Sequence, residues 1–70
     1  MDKGTRVMTE LVGTSDESIT DAIDNAIATA GKTVRNLEWF HVTDVRGSVE
    51  DGKVAQYQVA VKLGFRHESS

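Results

Sequence analysis

Cysteine and proline are both absent from the 70 residues. Without cysteine there are no disulfides and no thiolate metal sites, so two of the usual reinforcements of a small domain are excluded. Aromatic residues are few as well, with one Trp, one Tyr and two Phe. Long apolar runs are missing: the longest is three residues, as at Ala26 to Ala28, too short for a membrane span or a signal-peptide core. Excess positive charge is missing too, since 8 Lys and Arg stand against 11 Asp and Glu for a net charge of -3. That balance, with no basic cluster, argues against nucleic acid as a partner. The expectation is a cytoplasmic protein of one domain over residues 1 to 70, with no linker and no internal repeat. A chain this short buries only about 60% of the surface its unfolded form exposes, and oligomerisation becomes the leading remedy.

What is present is a readable order of elements. Met1 to Thr5 look like a loose terminus, and Arg6 to Val12 mix β-branched and apolar residues in a strand-like run. Gly13-Thr14-Ser15 is expected to break that strand. Thr14 with Glu17 three residues on matches a capping box, with Ser15 as the alternative cap. Ile19, Ala22, Ile23, Ala26, Ile27, Ala30 and Val34 then recur at the spacing of one helix stripe, and the helix should end between Gly31 and Arg35. Asp16, Glu17, Asp21 and Asp24 sit in its first half, where the helix dipole favours carboxylates, and read as a solvated face.

A second strand is expected from Leu37 to about Val49 and a third from Lys53 to Arg66, joined by Asp51-Gly52 as a type I′ turn. In the third, Tyr57, Val59, Val61, Leu63 and Phe65 share the core face, and Gln56, Gln58, Ala60, Lys62, Gly64 and Arg66 the other. A two-residue turn pairs Phe40 with Leu63 and Trp39 with Gly64. Strand alternation then sends Phe40 into the core and Trp39 outward. The same register would bury Asp44, so a bulge is expected near Thr43 and Asp44 that turns Arg46 outward. The outer face, with Trp39, Gln56, Gln58, Ala60 and Gly64, is too apolar and too rich in small residues for an ordinary wet surface. The outward indole stacks on a flat ligand, lies in a subunit contact, or does both. Indole, amide and two guanidinium groups around a glycine suit a flat heteroaromatic ring with polar edges.

The landmarks G-T-S at 13 to 15, W-F at 39 and 40, R-G at 46 and 47, Y-Q at 57 and 58 and G-F-R at 64 to 66, in strand–helix–strand–strand order, resemble the bacterial dodecins over nearly the whole chain. The resemblance implies an α+β fold, a β-α-β-β unit whose three-stranded antiparallel sheet packs around one helix, assembled into a hollow homododecamer. It implies FMN as ligand, with riboflavin or other flavins as alternatives, held as flavin pairs between symmetry-related tryptophans. The implied role is to store, buffer and photoprotect flavin. By motif, Trp39 would stack, Gln58 would meet the ring's polar edge, and Arg46 and Arg66 would contact phosphate or a neighbouring subunit. His41 departs from the pattern, which has glutamate there, and shares the outer parity of Trp39; it and His67 read as surface or interface residues. With no cysteine, no His, Ser and Asp cluster and no dinucleotide fingerprint, catalysis is disfavoured. A flavin-dependent electron-transfer enzyme and a structural shell without flavin are the competing classes.

Overall fold

The computed structural model describes residues 7 to 65, so Arg6, Arg66 and His67 lie outside the described residues. The chain forms β1 (Val7–Ser15), α1 (Ile19–Gly31), β2 (Leu37–Glu50) and β3 (Lys53–Phe65). The strands make one antiparallel sheet in the order β1-β3-β2, which is the α+β arrangement expected from the sequence. Because β3 is the central strand, its alternation is the cleanest. Val59, Val61 and Leu63 are buried on one face against Ala22, Ala26 and Ala30 of α1. Alanine at every buried helix position keeps the helix close to the sheet, and Leu11, Ile23, Ile27, Leu37, Val42 and Tyr57 pack around that contact.

Two expectations for the first strand and the helix start are corrected. β1 does not break at Gly13 but continues to Ser15. Gly13 is required there for a different reason: a Cβ on it would collide with the Ala22 carbonyl oxygen and come within 2.9 Å of Ala26 Cβ, so only glycine lets the helix sit on the strand. The helix cap is neither Thr14 nor Ser15 but Ser18, whose extended backbone (φ -165°, ψ 164°) precedes the first turn. Ser18 Oγ accepts the Asp21 N–H at 2.9 Å. Ser15 is occupied in making the reversal itself. Its Oγ accepts the Glu17 N–H at 2.9 Å and donates to Asp21 Oδ2 at 2.7 Å. Ser18→Ala should therefore cost about 1 kcal/mol in equilibrium unfolding, the usual value of a lost N-cap. Thr14→Ala, at an exposed position, should change little; a larger loss at Thr14 than at Ser18 would overturn the assignment.

The hairpin is as expected. Glu50 pairs with Lys53, and Asp51 (φ 53°) and Gly52 (φ 75°) both take the left-handed backbone that a type I′ turn demands. Phe40 faces Leu63 and Trp39 faces Gly64, and the register shifts between Val42 and Asp44. Two further irregularities were not foreseen, between Leu37 and Trp39 and between Ser48 and Val49.

Phe40 requires a further correction. It lies on the helix side of the sheet, but α1 packs over β1 and β3 and leaves β2 overhanging. Phe40 therefore remains 49% exposed, with Val45, Val49, Val54 and Ile19 exposed on the same side. A 13-residue helix seated on the central and one edge strand cannot also cover the other edge. Ile19, Val45, Gly47, Val49, Val54 and Tyr57 border a groove of about 270 Å³ in this overhang.

Candidate functional site

The face of the sheet away from α1 has no element covering it among the described residues. Its rungs run Trp39 opposite Gly64, His41 opposite Lys62, Asp44 opposite Ala60, Arg46 opposite Gln58 and Ser48 opposite Gln56. From β1, Glu10 stands beside Lys62, Val12 beside Ala60 and Thr14 beside Gln58. Three of the four expected site residues, Trp39, Gln58 and Arg46, thus share one face, and the fourth, Arg66, lies outside the described residues.

Trp39 is held by its opposite number. A Cβ on Gly64 would fall inside the indole, colliding with Cε2, Nε1 and Cζ2. The ring therefore rests directly on the Gly64 backbone, and both residues are shielded from solvent only in part or by each other: Gly64 is buried and Trp39 half-buried. A rigid strand beneath and an open side above make a stacking platform that needs no reorganisation to receive a flat ring.

The second patch is polar. Arg46 Nε donates to Asp44 Oδ2 at 2.8 Å, with the two side chains 75% and 48% exposed. Beside them Gln58 Nε2 donates to Gln56 Oε1 at 3.1 Å. Val12, Asp44, Arg46, Gln58 and Ala60 line a depression of about 260 Å³. The bulge puts Asp44 and Arg46 on the open face. Thr43 is the extra residue, its Oγ1 donating to the Ala60 carbonyl at 3.3 Å, and Asp44 follows Val42 on the next rung.

The structure does not gather Trp39, Gln58 and Arg46 at one point. Gln58 and Gly64 are six residues apart on β3, roughly 20 Å at about 3.3 Å per strand residue. Stacking platform and polar patch are two stations on one face. Asp44 was expected at the bulge but not as the partner of Arg46. Opposite charges at i and i+2 of a strand share a face, and that spacing was the available signal. Among the described residues no three His, Cys, Asp or Glu side chains come together as a metal site would require.

Residues 6–68 match the family model for dodecin. The chain belongs to the dodecin family. It is 48% identical over 61 residues to the dodecin of Thermus thermophilus, covering 87% of this chain and 88% of that one. The solved structure of dodecin from Streptomyces coelicolor is 51% identical, with full coverage of both chains and a TM-score of 0.86. That of dodecin from Streptomyces davaonensis is 46% identical, covers 93% of this chain and 96% of its own, and gives a TM-score of 0.84. The three-stranded sheet with one helix is thus the dodecin fold. No helix among the described residues is long and apolar enough to cross a membrane.

Proposed function

We propose that this dodecin binds FMN on the open face of its sheet, between copies of the chain in a homododecamer, to store and buffer the flavin and to suppress its photochemistry. The observation that carries the reading is Trp39 resting on Gly64 on a sheet face that no other element among the described residues covers. The donor set fits the ligand: an indole for the tricyclic ring, a Gln58 amide with donors and an acceptor for a ring edge bearing carbonyls and N–H, and a guanidinium for a phosphate. When bound, the flavin supplies visible absorption and an excited state that an electron-rich ring can quench. Trp39 orients and quenches, Gln58 fixes the polar edge, Arg46 attracts the anion, and the facing protomer excludes water.

The roughly 20 Å between the two stations favours a composite site. Laying a second copy of the face on the first about a two-fold axis encloses two indoles and two Gln58–Arg46 patches in one space. The overhang of β2 gives each protomer a second apolar surface, on the opposite side of the sheet, formed by Phe40, Val45, Val49 and Val54. A two-fold contact alone stops at a dimer, and this second surface is available for the further contact that carries assembly beyond one. No nucleophile or acid–base pair is part of either station, and this supports binding over turnover.

The test is to add excess FMN to the purified protein and measure bound flavin per subunit, its fluorescence and the mass of the particle. The expected result is a yellow dodecamer with quenched flavin whose unfolding midpoint rises with protein concentration, since assembly and folding are linked. A stable folded monomer, or a dodecamer that takes up no flavin, would overturn the reading, the second in favour of a structural shell.

A further inference from the structure

We propose that Asp44 is a positioning residue that sets the preference for a phosphorylated flavin by fixing Arg46; the proposal rests on the flavin reading above. The observation is the 2.8 Å bond from Arg46 Nε to Asp44 Oδ2 at the edge of a depression that both residues line with Gln58. A guanidinium carries five N–H donors, and this bond uses the one on Nε. The four on the two Nη nitrogens lie outside it, on the planar group's far edges.

An arginine that is 75% exposed on an edge strand samples many rotamers, and ordering it for an anion costs side-chain entropy at the moment of binding. Asp44 lowers that cost in advance by holding Nε. It reaches the same face because the Val42–Asp44 bulge places Asp44 opposite Ala60, two rungs from Arg46 opposite Gln58. As an exposed ion pair it adds little to stability, so stabilising the fold is a poor account of its presence. The pairing also neutralises the arginine. The patch then recognises phosphate by directed hydrogen bonds more than by net charge, so its selectivity is modest and weakly dependent on salt.

These statements separate in experiment. The quantity to measure is the ratio of FMN to riboflavin affinity, by fluorescence titration of the assembled protein, for wild type, Asp44→Ala, Asp44→Asn, Arg46→Ala and the double variant Asp44→Ala with Arg46→Ala. Asp44→Ala should lower the ratio by about three- to tenfold, the scale of one weakened charge-assisted hydrogen bond. Asp44→Asn keeps an acceptor for Nε and exposes the arginine's charge. It should hold or raise the ratio and make FMN binding more sensitive to salt. In the Arg46→Ala background, Asp44→Ala should leave the ratio unchanged. A rise in the ratio for both Asp44 variants would show that the carboxylate merely repels phosphate. Equal losses for FMN and riboflavin would assign Asp44 to assembly, and either result overturns the proposal. Should the assembled wild type bind neither ligand, the flavin reading itself fails; binding of both with a ratio that Asp44→Ala does not move sinks only this inference.

Discussion

Replacing Trp39 with alanine is expected to lower flavin affinity by at least tenfold and to restore much of the flavin's fluorescence. An aromatic contact is worth about 0.5–1.5 kcal/mol beyond the area it buries, and a flavin pair flanked by two indoles loses that at both ends. The two ends together lose about 1–3 kcal/mol, and with the ring's buried area lost as well the fall reaches tenfold or more at about 1.4 kcal/mol per decade. Fluorescence should rise with the loss of affinity because quenching needs the same close stack and the indole is the electron donor. Trp39→Phe separates the two effects: a flat ring remains on the Gly64 platform but donates electrons poorly, so affinity should be kept in large part while bound flavin becomes brighter. Titrations with fluorescence lifetimes measure both. If Trp39→Ala leaves affinity and quenching intact in a fully assembled particle, the ligand binds elsewhere.

An effect of similar size is expected from the addition of one methyl group at Gly64. Its Cβ would occupy the space of Trp39 Cε2, Nε1 and Cζ2. Either strand or ring must yield. The β3 backbone is paired on both sides, to β1 and to β2, whereas the indole ends a side chain with two rotatable bonds. The ring therefore moves. Overpacking of this kind costs typically 1–3 kcal/mol in a closed core, and less here because the indole can swing into open space. Gly64→Ala should thus retain the fold and the assembly while losing flavin affinity by about tenfold, comparable to removal of the indole. Circular dichroism and particle mass check the first half, and flavin titration checks the second. Unchanged binding in Gly64→Ala would mean that the seated position of the ring is not the one that meets the ligand.

What could be read before the structure follows from where local chemistry is decisive. Asp51-Gly52 fixes the hairpin turn because few other dipeptides take two left-handed residues in succession, and the turn fixes the rungs beside it, Glu50 with Lys53 and Val49 with Val54. Counting outward from the turn gives the partners of Trp39 and Phe40 because the irregularity at Ser48 and Val49 and the bulge at Thr43 offset each other. The rungs between them, such as Arg46 opposite Gln58, lie one residue off that count. The bulge itself followed from the need to keep Asp44 out of the core. The misreadings have a common origin in tertiary context. Gly13 reads as punctuation, yet it serves the approach of α1, a contact that no window around residue 13 contains. Thr14 and Ser15 read as caps and Ser18 was missed, because the choice depends on how far the strand remains paired to β3. Phe40 has core parity, but parity assigns a face and does not say whether a helix lies over it. The candidate site was legible as a set of residue types, of which Trp39, Gln58 and Arg46 share one face. Its division into two stations was not, because distance along a strand is lost when residues are grouped by alternation alone.

The bulge at Thr43 carries a consequence for how this chain can change. Val42 pairs with Val61 and Asp44 with Ala60, so the rungs on either side are consecutive and Thr43 occupies none of its own. A chain shortened by that one residue would keep every cross-strand partner and the same two faces. The extra residue instead coils the hairpin, tilting the arm that bears Arg46 relative to the arm that bears Trp39. At this position chain length encodes curvature, while the order of side chains encodes recognition. The two can vary independently, so the curvature of the sheet can change without rewriting the order of side chains on its open face.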